Sequence, residues 1–124
     1  MSTRNQLARK PPMGWNSYDC FGGEVDESDV RANAEYMARH LLKFGWEYVV
    51  IDIAWHTDQH MNDFTEGITM DAYGRLLPSV LHFPSARNGV GFKPLADFIH
   101  GLGLKFGIHV MPGISKWAVE RNTP

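Results

Sequence analysis

An apolar run that ends in a carboxylate is the first feature of the sequence that could do chemistry. The run Tyr48–Ile51 is followed directly by Asp52, then by Trp55 and the polar stretch 56–60. In α/β folds a buried parallel strand delivers functional side chains at its carboxyl end. A carboxylate and a tryptophan in that position make carbohydrate chemistry the first hypothesis.

Two predicted elements precede this run. The prolines at 11 and 12 restrict the backbone to extended conformations, and they predict a first strand over 10–17. The acidic stretch 26–29 supplies capping side chains for a helix that ends at Gly45. Its apolar residues recur at helical spacing: Val30, Ala34, Met37, Leu41 and Phe44.

The apolar residues of 46–55 are consecutive, which predicts a second strand that is covered on both faces. Residues 56–91 lack a sustained period and are typical of a long functional loop. A second helix is predicted from the spacing of Phe92, Leu95, Ile99 and Leu102. A third strand over 104–110 and a further helix from Lys116 follow.

The predicted order β-α-β-α-β implies an α/β fold with parallel strands joined by right-handed crossovers. Two architectures fit this order: a small doubly wound domain, or the first part of a (β/α)8 barrel, which needs about 250 residues. The sequence has no glycine-rich phosphate loop, which weakens the nucleotide-binding version of the first architecture. The pattern alone leaves the choice open.

Composition excludes several classes of protein. The chain has 124 residues, 44% of them hydrophobic, and a net charge of -2, which is typical of a globular domain. No run of Lys or Arg is present, so neither nucleic acid nor a membrane surface is an expected partner. The N-terminal residues lack the apolar core of a signal peptide, and we expect a cytoplasmic location. The single cysteine, Cys20, is interpreted as a structural thiol.

Metal-ligating residue types occur in the predicted loop, but their pattern is not that of a metal site. His56, Asp58, His60 and Asp63 have no recognised ligand spacing. They are interpreted as solvated loop side chains, and no metal or cofactor is predicted.

Five ordered motifs resemble a known family in order and spacing. They are 11–18 (PPMGWNSY), 45–52 (GWEYVVID), 74–76 (GRL), 83–85 (FPS) and 103–108 (GLKFGI). Over nearly the whole chain after about Leu7, they resemble the N-terminal part of glycoside hydrolase family 27, the α-galactosidase or melibiase family.

The resemblance implies that residues 11–124 are about three βα units of a (β/α)8 catalytic barrel, after an N-terminal extension, 1–10. It further implies hydrolysis of terminal α-linked galactose with retention and without a cofactor. The family uses one aspartate as nucleophile and another as acid/base, about 5 Å apart. Both are expected beyond Pro124, so we expect this piece alone to be inactive.

The resemblance also implies a sugar subsite. Its expected members are Asp52, Trp15, Tyr18, Trp55 and His109. Asp52 matches the first of two adjacent acids that hold the galactose hydroxyls in the family, and Ile53 replaces the second. Tyr18 stands at a usual tryptophan position and His109 at a usual tyrosine position.

These departures keep three alternatives open. The substrate could be an isomaltose-like glucan or a β-L-arabinopyranoside instead of a galactoside, since an apolar residue replaces a sugar-reading acid. The chain could instead be a noncatalytic carbohydrate-binding half-barrel. Open strand edges could also lead to self-association of the chain.

Overall fold

The computed structural model describes residues 10–59 and 67–122, and it confirms the predicted order of strands and helices. The elements are β1 (Gly14–Asn16), α1 (Tyr18–Phe21), α2 (Glu27–His40), β2 (Tyr48–Ile51), α3 (Lys93–Gly101), β3 (Lys105–Ile108) and α4 (Lys116–Glu120). Two 3₁₀ helices lie at Leu42–Phe44 and Pro84–Gly89. The strands are shorter than predicted, and the helical turn α1 was not predicted.

Helix α2 begins at a capping box, as the acidic stretch before it predicts. Asp26 accepts a hydrogen bond from the backbone N–H of Asp29, and the Asp29 side chain accepts one from the N–H of Asp26. The helix buries Val30, Ala34 and Met37 on one face. The 3₁₀ turn after it ends at Gly45, whose φ of 89° is left-handed.

The sheet is parallel, and its strands lie in the order β1-β2-β3. In the register, Trp15 of β1 pairs with Val49 of β2, and Val49 pairs in turn with Phe106 of β3. Asn16 pairs with Val50. Burial alternates along β2, because Val49 and Ile51 are completely buried whereas Tyr48 and Val50 are half-buried. The two faces of this sheet are therefore covered differently.

Helices α2 and α3 pack on the same face of the sheet. Their buried residues Val30, Ala34, Leu95 and Ile99 form one apolar cluster with Val49 and Ile51 of β2. The opposite face lines an open cavity of about 490 Å³, with Gly14, Tyr48 and Val50 among its walls. A doubly wound sheet carries helices on both faces. Sequential strands with helices on one face are instead the arrangement of a barrel segment.

Glu27 joins the start of α2 to the segment before α3. One carboxylate oxygen accepts the backbone N–H of Ser85 at 2.8 Å, and the other accepts two N–H groups of the Arg31 guanidinium at 2.7 and 2.9 Å. Glu27 itself is buried. Desolvation raises the pKa of this carboxyl, but these hydrogen bonds outweigh it, and the net pKa lies below the ordinary value.

In the part of the chain that the structure describes, no helix combines the length and apolar character needed to cross a membrane. Strands β1 and β3 are the edges of the described sheet. Self-association through those edges stays a prediction.

The first prediction concerns the close approach of β1 to β2. A Cβ at Gly14 would lie 2.2 Å from the Tyr48 carbonyl oxygen, whereas a Cβ at Gly101, at the end of α3, meets nothing within 4 Å. We expect Gly14→Ala to lower the free energy of unfolding by about 3 kcal/mol, because backbone must move. Gly101→Ala is the control, and we expect it to be neutral or stabilising by about 0.5–1 kcal/mol. Urea unfolding measures both, and equal stabilities would contradict the register described here.

The second prediction concerns the pH dependence of Glu27. Because its pKa is lower in the folded chain, its contribution to stability is present at neutral pH and is lost as pH falls below the unfolded value of about 4.5. Glu27→Gln should therefore destabilise by about 1–3 kcal/mol at neutral pH and by progressively less in acid. Urea titrations at several pH values test this.

The matched control is Glu35→Gln. Glu35 pairs with Arg39 four residues later, at 3.2 Å, but both side chains are exposed. An exposed pair of this kind contributes little, so we expect a change below about 0.5 kcal/mol. A Glu27 variant that behaves like the Glu35 variant at every pH would show that the buried carboxylate is not a structural link.

Candidate functional site

Three strand ends meet at the carboxyl edge of the sheet, and each delivers a polar side chain. Asn16 is the last residue of β1, Asp52 follows β2, and His109 follows β3. Backbone hydrogen bonds extend the pairing past the strands, from Ser17 N–H to the Val50 carbonyl and from His109 N–H to the Ile51 carbonyl. Parallel pairing therefore places these side chains next to one another. We call Asn16, Ser17, Asp52 and His109 the carboxyl-edge site.

The Asp52 carboxylate is the centre of this site. Asn16 Nδ2 donates to Oδ2 at 2.7 Å, and the backbone N–H of Ile53 donates to Oδ1, also at 2.7 Å. The backbone N–H of Asp52 donates to the hydroxyl of Ser17, which is completely buried. Only 18% of the Asp52 side chain is exposed. The carboxylate is thus held in one orientation while part of it faces the open edge.

His109 approaches the same carboxylate from β3. Its Nδ1 lies 3.2 Å from Asp52 Oδ1, the distance of an ion pair when the imidazole is protonated. The direction of this contact does not meet hydrogen-bond geometry, and Nδ1 is buried without another partner among the described residues. The contact is therefore a close approach of the imidazole to the carboxylate and not a hydrogen bond.

A strained turn follows Asp52. Ala54 has a φ of 68°, a left-handed conformation that is rare for a residue with a Cβ. Trp55 follows directly, and its indole N–H donates to the carbonyl of His109, the residue after β3, at 2.8 Å. Strain of this kind persists where the surrounding structure imposes it, and it is common at functional sites.

Ser79 also stabilises this turn through hydrogen bonds. Its backbone N–H donates to the Trp55 carbonyl at 2.8 Å, and its hydroxyl lies 2.5 Å from Asp58 Oδ1. Ser79 is completely buried. The predicted long loop is thus ordered in its described part, where Thr57 pairs with Ile68 and Met70 pairs with Leu76 in antiparallel bridges.

His56 is a half-buried neighbour of the site that the sequence did not identify as such. Its ring meets the Trp55 ring edge-to-face, with centroids 5.0 Å apart. Burial lowers the pKa of this imidazole, so it is neutral at physiological pH. Within residues 10–59 and 67–122, no three His, Cys, Asp or Glu side chains form a group that could hold a metal. His60 and Asp63 lie outside the described residues.

The structure brings four of the five predicted sugar-binding residues to or beside the carboxyl-edge site, and Trp15 lies apart from them. Asp52 and His109 are in contact, the Trp55 indole N–H donates to the His109 carbonyl, and Tyr18 is exposed at the start of α1. The backbone N–H of Tyr18 donates to Asn16 Oδ1, which ties Tyr18 to the site. Trp55 is only 5% exposed, so most of its ring is core.

Trp15 lies apart from this group. In the register it shares a face with Val49, and it packs against the apolar cluster under the helices, edge-to-face with Phe21 at 6.1 Å. Its indole nitrogen is buried and has no hydrogen-bond partner in the described part of the chain. The alternation of side chains in a strand explains this placement. Sugar contact by Trp15 stays a prediction.

Asn16 and Ser17 were not predicted as site residues, although the structure makes them the direct partners of Asp52. Their position offered a signal, since both stand at the end of the first predicted strand, as Asp52 does at the end of the second. Because the carboxyl ends of parallel strands lie side by side, Asn16 and Ser17 are expected to contact the residue that follows the next strand.

The chain is similar in sequence to known α-galactosidases. The chain is 41% identical over 105 residues to α-galactosidase A of Cellvibrio japonicus, a match that covers 84% of the chain and 22% of the relative. The chain thus spans about a fifth of the length of the curated relatives that it matches. No protein-family model matches it.

Two solved structures share both fold and sequence with the chain. A family 27 β-L-arabinopyranosidase from Geobacillus stearothermophilus, in complex with arabinose, has a TM-score of 0.91 and 56% identity, covering 98% of this chain and 29% of that one. A Bacillus halodurans protein with a suggested α-N-acetylgalactosaminidase activity has a TM-score of 0.85 and 57% identity, covering 93% and 27%. The parallel sheet, the helices on one face and these similarities lead to one conclusion: the chain belongs to glycoside hydrolase family 27, of whose α/β barrel it forms a part.

Proposed function

We propose that this chain is part of a retaining glycosidase that hydrolyses terminal α-linked sugars, with α-galactosides as the first candidate substrates. The observation that carries the proposal is the Asp52 carboxylate, which accepts hydrogen bonds from Asn16 and Ile53 at the carboxyl edge, while the Ser17 hydroxyl accepts the backbone N–H of Asp52. Active sites of (β/α)8 enzymes lie at this edge. The α-galactosidase relative from Cellvibrio japonicus supports the choice of substrate class.

In this proposal the chain binds the terminal sugar. Asp52 accepts hydrogen bonds from sugar hydroxyls through the exposed part of its carboxylate, while Asn16 and the Ile53 N–H keep it oriented. Ring hydroxyls held this way orient the anomeric carbon for attack, which lowers the barrier by positioning. The nucleophile and the acid/base would be two carboxyl groups about 5 Å apart, supplied by a part of the protein beyond Pro124.

A second candidate, hydrolysis of β-L-arabinopyranosides, is favoured by Ile53. β-L-Arabinopyranose has the ring configuration of α-D-galactopyranose but lacks the hydroxymethyl group. Ile53 directly follows the sugar-binding carboxylate and offers no polar atom of its side chain to a hydroxyl. The 56% identity to a β-L-arabinopyranosidase supports this reading. An isomaltose-like glucan and a noncatalytic sugar-binding role remain as further alternatives, and no further observation favours them.

The test of Asp52 uses the full reading frame that contains this chain. We expect Asp52→Asn to lower kcat/KM on the best glycoside by about 10- to 100-fold, because charged hydrogen bonds to the sugar are lost. The control is Asp97→Asn, which changes an exposed acid paired with Lys93 on α3. Steady-state kinetics measure both. An unchanged rate for the Asp52 variant would falsify its sugar-binding role, and sugar binding by a wild type that hydrolyses nothing would favour the noncatalytic alternative.

The test of Ile53 is a change of preference. We expect Ile53→Asp to raise the ratio of kcat/KM for α-galactosides over β-L-arabinopyranosides by at least about tenfold, since a second carboxylate can bind the hydroxymethyl oxygen. An aryl α-galactoside and an aryl β-L-arabinopyranoside are compared as substrates of wild type and variant under the same conditions. A constant ratio would remove Ile53 as the residue that reads this part of the sugar.

A further inference from the structure

A second cavity opens beside the carboxyl-edge site. It has a volume of about 330 Å³ and lies between the turn at 73–76 and the segment 110–115 that follows β3, with Trp55 between them. This volume falls in the lower part of the range for small-molecule sites. None of the roles assigned above uses this cavity.

The cavity and the site share a wall. Trp55 lines the cavity and at the same time donates its indole N–H to the His109 carbonyl. Val110, another lining residue, directly follows His109. The cavity therefore adjoins the segment that carries His109, whose imidazole lies next to Asp52 in the carboxyl-edge site.

The lining of the cavity suits a sugar ring. Tyr73 is 57% exposed, and the Arg75 guanidinium lies 5.2 Å from the centroid of its ring. Aromatic faces pack against the C–H faces of pyranoses, and a guanidinium offers several donors to hydroxyl oxygens. Ile114, 74% exposed on the opposite wall, adds a second apolar surface.

The turn that presents these groups is ordered by Asp71. Asp71 Oδ1 accepts the backbone N–H groups of Tyr73 and Arg75 at 2.9 and 3.0 Å, and Oδ2 accepts the Arg75 guanidinium at 2.7 Å. Partial desolvation raises the pKa of Asp71, but these bonds outweigh it and the net pKa is lowered, so the carboxylate is ionised at neutral pH. A turn fixed before binding loses less conformational entropy when a ligand binds.

We propose that this cavity is the leaving-group subsite of the enzyme, and that Tyr73 and Arg75 bind the sugar to which the terminal residue is linked. The inference rests on the proposed function, because it takes the terminal sugar to lie at Asp52. It deepens that function by assigning recognition of the leaving-group sugar to Tyr73 and Arg75. Tyr73 is then a specificity-determining residue that affects binding of the leaving group and leaves the hydrolytic step unaltered.

The experiment compares two substrates that share a terminal sugar. Melibiose carries glucose as the leaving group, whereas α-galactosyl fluoride has a leaving group of one atom that cannot fill the cavity. Steady-state kinetics of the full reading frame are measured for wild type and for Tyr73→Ala. If the wild type prefers L-arabinopyranose, the corresponding arabinopyranosyl-glucose disaccharide and β-L-arabinopyranosyl fluoride replace this pair.

We expect Tyr73→Ala to lower kcat/KM for the disaccharide by about 3- to 10-fold, mainly through KM, and to change that for the fluoride by less than about 2-fold. Tyr73→Phe, which keeps the ring, should restore most of the loss. Tyr36→Ala is the matched control, because Tyr36 is 58% exposed on α2, where its ring meets His40. We expect it to change neither substrate.

Each other outcome is decisive. Equal losses on the disaccharide and the fluoride would assign Tyr73 a purely structural role and overturn the subsite, as would unchanged kinetics on the disaccharide. The subsite would also be overturned if a structure of the longer protein showed another part of the chain filling the cavity. A wild type that cleaves neither fluoride nor disaccharide would overturn the proposed function itself, whereas cleavage of the fluoride with no effect at Tyr73 overturns only this inference.

Discussion

Burial of the central strand β2 is the constraint on which the rest of the structure depends. Val49 and Ile51 are completely buried under α2 and α3, and β1 and β3 pair with β2 in parallel on either side. A slip of one residue would turn both side chains to the other face, so the register is strongly specified. That register alone brings Asn16, Asp52 and His109 to a common edge. The chemistry of the site therefore follows from the packing of two apolar side chains that take no part in it.

The turn after β2 converts this edge into a site with fixed geometry. Ala54 adopts a left-handed conformation, and the contacts of Trp55 with His109 and Ser79 hold the turn in place. Such strain is retained when surrounding contacts determine the conformation. Since the Asp52 carboxylate also accepts hydrogen bonds from Asn16 and Ile53, its orientation is set before any ligand binds, and the sugar binding that we propose would need little reorganisation. Preorganised groups of this kind are worth more to binding than the same groups on a mobile loop.

Trp55 links the two parts of substrate recognition that we propose. Its indole N–H donates to the carbonyl of His109, which lies next to Asp52, where the terminal sugar would lie. Trp55 also lines the cavity that contains Tyr73 and Arg75. Specificity for the terminal sugar then depends on Ile53, and specificity for the leaving group on the turn at Tyr73. These two sets of residues come from different stretches of the same loop region. Each set of residues can vary without disturbing the strands that position the Asp52 carboxylate.

The sequence by itself determined the order of elements, the capping of α2, the end-of-strand position of Asp52 and the family, because these depend on local spacing and on ordered motifs. The order of elements alone left a doubly wound sheet and a barrel segment open; the family resemblance implied the barrel, and the tertiary structure confirmed it by placing α2 and α3 on one face of the sheet. Only the tertiary structure separated Trp15 from the site and brought in Asn16 and Ser17, which touch Asp52 across 36 and 35 residues of chain. The alternation of side chains in β1 sends Trp15 to the helix-covered face, and strand pairing sets the distances across the edge. Local patterns specify which residues reach a strand end, whereas contacts between strand ends arise from pairing of segments far apart in the chain.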